Sequence, residues 1–186
     1  MEAIKKFVII GPESTGKTTL CSKLAEHFRT LWVREYAREY LLKNGTDYSF
    51  DDLLTVAKGQ IKLEESSLDK LKIKSHSPLN NGHAPVLFID TDMYVMKVWC
   101  EYVFNRCHNW VLNRIAERQY TGYILCSTDI DWVKDELREY PDLNVREKLY
   151  YYYKDLLVNQ NLPWVDIKGN YGERLEKAVK FIEENT

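Results

Sequence analysis

The stretch FVIIGPESTGKTTL, residues 7–20, decides the fold of this 186-residue chain. It opens with an apolar run that is typical of a buried parallel strand, and then passes through GPESTGKT, residues 11–18, which matches the GxxxxGK[ST] pattern in full. Apolar residues follow at helical spacing, at Leu20, Cys21, Leu24 and Phe28. Strand, glycine-containing loop and helix in this order are the context that makes the pattern specific for phosphate binding.

Each residue type in this loop suits a nucleoside triphosphate. Gly11 and Gly16 allow the backbone to form a cradle of N–H groups beside the positive end of a helix. We expect Lys17 to reach the β- and γ-phosphates and the Thr18 hydroxyl to coordinate Mg²⁺. The predicted cofactors are therefore ATP and Mg²⁺. Further nucleotide contacts are expected from Thr19 and from the backbone amides of Glu13, Ser14 and Thr15.

Strands and helices alternate on both sides of this loop. Strands are predicted at residues 6–10, 31–34, 86–89, 123–126 and 164–167. Helices are predicted around residues 20–28, 37–44, 49–74, 96–103, 110–118, 132–139, 145–158 and 175–182, and the segment SHSPLNNGHAP, residues 75–85, is expected to be a loop. The alternation predicts an α/β domain of the P-loop NTPase type, in which three layers enclose a mainly parallel five-stranded sheet.

Length and composition exclude several classes of protein. The length fits one domain over residues 1–186, and a net charge of −2 argues against a dedicated nucleic-acid binder. Four cysteines with no CxxC pair are expected to be reduced and mostly buried, rather than metal ligands or disulfides. No apolar run is long enough for a signal peptide or a membrane span, so we expect a soluble, cytoplasmic protein.

Carboxylates follow two of the predicted strands. VLFID, residues 86–90, has the form of a Walker B strand, which would deliver Asp90 to the phosphate loop as the partner of Mg²⁺. Asp92 follows two residues later, and it either caps the next helix or faces the pocket. Glu35 sits at the end of the second strand, where a carboxylate can accept the proton of an acceptor hydroxyl.

Other polar residues have both a functional and a structural interpretation. Tyr36 and Arg38 would line the pocket beside Glu35, or belong to a solvated, helix-starting charge cluster. Gln60 is a polar break in an apolar helix face, with the same two interpretations. Arg138 and Arg146 are candidates to neutralise charge on the transferred group from a lid over about residues 129–147, the alternative being surface salt bridges. Trp99 and residues 150–153 are expected to belong mainly to the core.

Five segments together resemble one family. GPESTGKT, REYAREY at residues 34–40, GQ at 59–60, LFIDTD at 87–92 and DWVKDELR at 131–138 are similar, in order and spacing, to the ribosylnicotinamide kinase domain of NadR-type NAD-biosynthesis proteins, a P-loop kinase of the AAA_28-like ATPase class. The resemblance extends from residue 7 to about residue 179. It implies a nucleoside- and nucleotide-kinase-like fold with a helical lid, and ATP-dependent phosphorylation of the 5′-hydroxyl of nicotinamide riboside.

The resemblance also implies roles for particular residues. Glu35, Arg38, Asp92 and Trp132 would lie on the riboside side of the pocket, and Asn170 and Tyr171 would approach the adenine. The chain begins a few residues before the first strand and has no HxGH-type segment, so we expect neither adenylyl transfer nor repression. A riboside importer is the expected metabolic partner.

Two alternatives to this activity stay open at the level of sequence. The acceptor could be another nucleoside or a nucleotide, with the same fold and mechanism. The chain could instead be a P-loop ATPase or a nucleotide-sensing switch that binds a partner protein. Acceptor-dependent turnover distinguishes the kinases from the switch, and a panel of acceptors distinguishes the kinases from one another.

Overall fold

The structure, a computed structural model, describes residues 3–75 and 85–186, so nearly all of the predicted loop at residues 75–85 lies outside the described residues. The strands are β1 Lys5–Ile10, β2 Leu31–Val33, β3 Val86–Asp90, β4 Gly122–Cys126 and β5 Trp164–Ile167. The helices are α1 Lys17–His27, α2 Tyr36–Asn44, α3 Phe50–Ser75, α4 Met93–Phe104, α5 Asn109–Glu117, α6 Leu143–Val158 and α7 Tyr171–Glu183.

The five strands form one sheet in the order β2-β3-β1-β4-β5, and every neighbouring pair is parallel. The predicted five-stranded α/β fold is confirmed, with a sheet that is parallel throughout. β1 lies in the centre, and β3 pairs with it so that Ile9 is opposite Asp90. The carboxyl ends of β1, β2 and β3 therefore meet at one edge, where ligands bind in open parallel sheets.

Alternate residues of the central strand face opposite layers of helices. Phe7 and Ile9 pack in a buried cluster with α1 and α7, and Val8 and Ile10 pack in a second cluster with α3, α4 and α6. A third apolar cluster joins α2, α3, α4 and α5 above the second layer. These three clusters fix the helices on both faces of the sheet and hold its carboxyl edge open between α2, α4 and α6.

One predicted helix is wrong. Residues 131–142 have no helical hydrogen-bonding pattern, and α6 begins only at Leu143. The lid expected over about residues 129–147 is therefore helical only in its last residues. The backbone N–H groups of this segment bond to side chains of the phosphate loop, as described below.

Other sequence-based expectations are confirmed. Ser49 caps α3, because its Oγ accepts a hydrogen bond from the backbone N–H of Asp52. All four cysteines are free, and Cys107 alone among them is half-buried while the others are buried. Across residues 3–75 and 85–186, the structure contains no helix with the length and apolarity that a membrane span requires.

Candidate functional site

The phosphate loop between β1 and α1 contains two glycines with backbone conformations that side chains disfavour. The φ angles are 144° at Gly11 and 77° at Gly16. A Cβ at Gly11 would also lie 2.6 Å from the carbonyl oxygen of Cys126, at the end of β4. Gly16 directly precedes α1 and has no side chain to cap it, so the first N–H groups of the helix are available to a phosphate.

Lys17 holds a cation over this loop. Its Nζ donates a hydrogen bond to the carbonyl oxygen of Pro12 at 2.8 Å, and the buried Thr15 hydroxyl donates to the same oxygen at 2.7 Å. The amine therefore bridges the first and last parts of the loop, as an anion-binding cradle requires. All predicted nucleotide-binding residues of the loop line one cavity, namely Gly11, Glu13, Ser14, Thr15, Gly16, Lys17, Thr18 and Thr19.

Asp90 ends β3 beside α1, where the Walker B interpretation expects it. The Thr18 hydroxyl donates to its Oδ2 at 2.6 Å, whereas its Oδ1 is buried without a hydrogen-bond partner. Burial, and next the negative charge of Glu35, raise the pKa of Asp90 to about 7. The positive charge of Lys17 and the hydrogen bond from Thr18 lower the pKa of Asp90, but they offset only part of this rise.

Mg²⁺ fits this arrangement. The orphaned Oδ1 of Asp90 and the Thr18 hydroxyl are oxygen ligands of the kind that Mg²⁺ prefers. In the part of the chain that the structure describes, no three His, Cys, Asp or Glu side chains form a metal cluster. Mg²⁺ usually binds to few protein ligands, because waters and substrate phosphates supply the rest of its coordination shell.

Glu35 lies between β2 and α2 and faces the same edge. It precedes α2, yet its carboxylate makes no capping hydrogen bond to that helix. The Thr91 hydroxyl lies 3.5 Å from its Oε1, and Glu35 lines the cavity together with Lys17 and Thr18. A carboxylate that is free of capping and faces a phosphate site can accept a proton from a bound hydroxyl.

Gln60 and Tyr36 lie behind Glu35 rather than on the cavity wall. The Gln60 side chain is buried, and its Oε1 accepts from the backbone N–H of Tyr36 at 2.7 Å. The Tyr36 ring packs on α3, where a Cβ at Gly59 would lie 2.1 Å from it. The two residues were predicted to bind substrate, and the structure places neither among the cavity-lining residues.

Asp92 caps α4. Its Oδ1 accepts from the backbone N–H groups of Tyr94 and Val95, and its Oδ2 accepts from the Tyr123 hydroxyl at 3.0 Å. Burial raises the pKa of Asp92 to about 6. Since both oxygens are occupied and Asp92 does not line the cavity, the structure favours the capping interpretation of the two that the sequence allowed.

The cavity has a volume of about 470 Å³ and extends from the phosphate loop towards α2, α4 and α6. Arg38 reaches it from α2 and pairs with Asp135 at 3.1 Å. The wall opposite the loop is aromatic and aliphatic, as is usual for small-molecule sites. Its apolar residues are Leu41, Val95, Val98, Trp99, Tyr102, Tyr140, Leu149 and Tyr153. Trp99 and Tyr153, which were expected mainly in the core, are thus also wall residues.

Residues 130–140, here called the front segment, close one side of the cavity. The Glu13 carboxylate accepts hydrogen bonds from the backbone N–H groups of Glu139 and Tyr140 and from the Trp132 indole N–H. The Ser14 hydroxyl accepts from the Val133 N–H at 3.0 Å. These contacts explain why the predicted helix is wrong, since the N–H groups bond across to the phosphate loop instead of along a helix.

The predicted lid residues occupy different positions. Arg138 lines the cavity, and its guanidinium donates to the Val133 carbonyl within the front segment. Arg146 is buried and donates to the carbonyl oxygens of Ser14 and Ile130, both at 3.3 Å. Trp132 bonds to Glu13 without lining the cavity. Of these three residues only Arg138 lines the cavity, whereas Arg146 and Trp132 connect the phosphate loop to the front segment.

Asn170 and Tyr171 lie at the start of α7. The Asn170 side chain is engaged in a capping box with Glu173, which occupies its Oδ1. The Tyr171 ring is exposed and lines the cavity beside Gly16. Of the two residues predicted to approach the adenine, the structure leaves Tyr171 with a free aromatic face.

A family model described as AAA domain, AAA_28, matches residues 6–174. The chain belongs to this AAA_28 family. Two curated relatives of this AAA_28 chain are the trifunctional NAD biosynthesis/regulator proteins NadR of Salmonella typhimurium and of Escherichia coli, each 28% identical over 194 residues. The alignments cover 97% of this chain and 42% of each relative, so the chain spans less than half the length of these relatives.

Solved structures similar to the AAA_28 chain include two of NadR. NadR in complex with NR superposes with a TM-score of 0.78 at 24% identity, covering 98% of this chain and 50% of that one. NadR in complex with NAD and AMP-PNP gives 0.68 at 22% identity, covering 98% and 49%. The resemblance to NadR-type domains that the sequence predicted is confirmed as a shared family and fold.

Two residues of the AAA_28 site were not predicted from the sequence. Arg174 is buried and supports the loop from behind, donating to the carbonyl oxygens of Thr15, Ser127 and Gly169. Thr91 has a φ of 76°, and its hydroxyl faces Glu35. The position of Arg174 on the apolar face of α7 was a possible signal for its buried role. No local pattern indicates the left-handed conformation of a threonine.

Proposed function

We propose that this protein is a kinase that transfers the γ-phosphoryl group of ATP to the 5′-hydroxyl of nicotinamide riboside, giving nicotinamide mononucleotide and ADP. The main support for the proposal is the grouping of three side chains beside the phosphate loop: Glu35 and Thr18 line a cavity with an aromatic wall, and Thr18 donates a hydrogen bond to the buried Asp90. A nucleotide switch has no need for a free carboxylate that faces a cavity of this kind.

The donor half of the site binds Mg-ATP. The loop amides and Lys17 hold the β- and γ-phosphates, and Tyr171 offers its ring to the adenine. Thr18 and the free oxygen of Asp90 would hold Mg²⁺. When bound, Mg²⁺ neutralises charge on the phosphate oxygens. A solved relative of this fold is NadR in complex with NAD and AMP-PNP, which supports nucleotide binding here.

The acceptor half binds the riboside and activates its hydroxyl. Glu35 accepts the hydroxyl proton, the acceptor oxygen bonds to the γ-phosphorus, and the bond from that phosphorus to the bridging oxygen of ADP breaks. Arg138 stabilises the negative charge on the transferred group. The front segment, with the rest of a lid over about residues 129–147, excludes water so that the hydroxyl is the acceptor.

Nicotinamide riboside suits the cavity chemically. Its pyridinium ring is flat and positively charged, and rings of Trp99, Tyr102 and Tyr153 can pack on such a cation. Glu35 and Arg38 are polar cavity-lining residues that can bind the ribose hydroxyls. NadR in complex with NR is a relative by fold, which supports this choice of acceptor. With ATP as donor, we expect the reaction in the cytoplasm, supplied by a riboside importer.

The experiment is an ADP-release assay with Mg-ATP and a panel of acceptors. The panel contains nicotinamide riboside, cytidine, uridine, adenosine and thymidine, and a control reaction without acceptor measures hydrolysis. We expect strong release with nicotinamide riboside and little with the others. Release with a different nucleoside would replace the substrate while retaining the kinase, and acceptor-independent release or none would contradict the kinase in favour of a nucleotide switch.

A further inference from the structure

Gly59 and Gln60 lie in the middle of α3, and neither residue lines the cavity. Gln60 is buried, does not line the cavity, and uses both ends of its amide. A glycine in a helix interior lowers stability by about 1 kcal/mol relative to alanine, so we expect a local structural reason for Gly59. That reason is the Tyr36 ring, which occupies the space a Cβ at position 59 would need.

The carbonyl end of Gln60 caps a different helix. Tyr36 is the first residue of α2, and the N–H groups of a first helical turn have no partner within the helix. The residue before it, Glu35, makes no side-chain cap, and Gln60 Oε1 accepts the Tyr36 N–H at 2.7 Å instead. Capping from α3 therefore leaves the Glu35 carboxylate free to face the cavity.

The amino end of Gln60 joins two strand ends. Its Nε2 lies 3.2 Å from the carbonyl oxygen of Arg34 and 3.2 Å from that of Asp90. The parallel ladder between β2 and β3 ends with the pair Val33 and Ile89, so these carbonyls belong to the first residues beyond it. One side-chain amide continues the pairing where the backbone ladder has stopped.

We propose that Gln60 is a positioning residue that fixes the spacing of Glu35 and Asp90, with Gly59 making room for the Tyr36 ring that completes the contact. Gln60 touches no reacting atom and acts through the backbone on either side of Glu35. The proposal rests on the proposed function for its catalytic consequence, whereas its contacts are measurable without turnover.

Gln60→Met and Gln60→Glu test the two ends of the amide separately. Methionine has similar size and forms none of the three hydrogen bonds, whereas glutamate keeps an acceptor for the Tyr36 N–H and loses the donor. We expect kcat per folded molecule to fall roughly 10- to 100-fold in both variants, because displacements near 1 Å in a site have effects of this size. The KM for ATP should change less than about twofold, since the phosphate loop is not contacted.

Hydrogen exchange of the Tyr36 amide provides a readout without turnover. We expect exchange on the order of tenfold faster in Gln60→Met and unchanged in Gln60→Glu. The matched control is Glu64→Gln, a buried polar residue one turn along α3 whose partners are Lys6, Arg118 and Tyr120. This control should lower the melting temperature and leave kcat unchanged.

Each result has a defined meaning. Unchanged kcat per folded molecule in both Gln60 variants would overturn the positioning role, because a purely structural residue alters only the amount of folded protein. An unchanged Tyr36 exchange rate in Gln60→Met would overturn the contact itself. If the wild-type protein phosphorylates no acceptor, the proposed function fails, and the exchange rates alone then support or overturn the contact that holds Glu35.

Discussion

The phosphate loop is held differently on its two sides. Behind it, the buried Arg174 guanidinium donates to three backbone carbonyls and pairs with Asp129. In front of it, Glu13 and Ser14 accept four hydrogen bonds from backbone and indole N–H groups of the front segment, of which two are exposed and two are part-buried. The back contact is made by a buried charged group, whereas two of the four hydrogen bonds that Glu13 and Ser14 accept are exposed to solvent.

The difference teaches where the site is fixed and where it can open. Breaking a buried charged contact leaves several groups without partners, whereas exposed hydrogen bonds exchange with water at little cost. We therefore expect the front segment to open more readily than the loop and the strand ends behind it. A kinase needs both a firmly held loop and a segment that opens, because Mg-ATP must enter a preformed cradle and then be closed off from water.

The largest expected effect is on kcat/KM, from a substitution in the phosphate loop. Lys17→Ala removes the cation that faces the transferred phosphoryl group, and we expect kcat/KM to fall roughly 10³-fold. The fold should persist, because within residues 3–75 and 85–186 the amine donates a single hydrogen bond, to the Pro12 carbonyl. Lys23→Ala is the matched control on the same helix, where the amine pairs with the exposed Glu26. A Lys17 variant that kept most of its activity would contradict the assignment of the loop.

Asp90→Asn is expected to lower kcat roughly 10²-fold and to weaken the response to Mg²⁺, while making the protein more stable. Burial, followed by the charge of Glu35, raises the pKa of Asp90 to about 7. Between about pH 4 and pH 7 the folded protein therefore retains a proton that the unfolded chain has lost, so stability falls as pH rises through this window. Above about pH 7 the buried carboxylate is ionised in the folded protein, and its desolvation lowers the free energy of unfolding by the full amount. Asparagine is neutral and removes this penalty.

Thermal unfolding of wild type and Asp90→Asn across this pH range, without Mg²⁺, measures the effect. The variant should melt a few degrees higher above pH 7 and lose the difference towards pH 4. An equal or lower melting temperature of the variant above pH 7 would show that the carboxylate is not held at an energetic cost. Turnover of Asp90→Asn equal to that of wild type would show that Asp90 does not hold Mg²⁺.

Arg174→Met tests the back of the loop. The change removes the guanidinium from three backbone carbonyls and from Asp129, which keeps the hydrogen bond from the Gly169 N–H, and we expect a loss of about 3 kcal/mol in the free energy of unfolding. Chemical denaturation measures this loss, and added Mg-ATP should recover part of it. A loss below about 1 kcal/mol would mean that the two sides of the loop are held equally weakly, which contradicts the comparison.

Glu13→Ala has the smallest expected effect on stability and tests the front. The variant frees the backbone of the front segment, and we expect trypsin to cleave after Lys134 and Arg138 several-fold faster than in wild type. The free energy of unfolding should change by less than about 1 kcal/mol. Unchanged cleavage would show that Glu13 does not hold this segment.

The sequence could predict the parts of the structure that depend on local patterns, and it could not predict those that depend on contacts between distant residues. The loop, Asp90 at the end of β3 and the alternation of strands and helices follow from local patterns, since GxxxxGKT and an apolar strand ending in Asp carry their own context. The helix at residues 132–139 was predicted from helical spacing alone. It does not form because Glu13 and Ser14, more than 100 positions away, accept its N–H groups.

Polar residues behind the site were the hardest to assign. Gln60 and Asp92 were each given a pocket interpretation and a structural one, and the structure places both next to the pocket with their polar atoms engaged elsewhere. Sequence spacing places a side chain on a face of a helix, and it does not determine which backbone groups that side chain meets across the fold. The contacts of Gln60, Thr91 and Arg174 are all of this long-range kind.

The most direct test of the central claim follows the phosphoryl group itself. Purified protein is incubated with nicotinamide riboside and Mg-ATP whose γ-phosphoryl oxygens carry a heavy isotope, and the products are weighed by mass spectrometry. We expect a nicotinamide ribose monophosphate that contains the labelled phosphoryl group. Label that appears only in inorganic phosphate, with the riboside unchanged, would show that water is the acceptor and would contradict the proposed kinase.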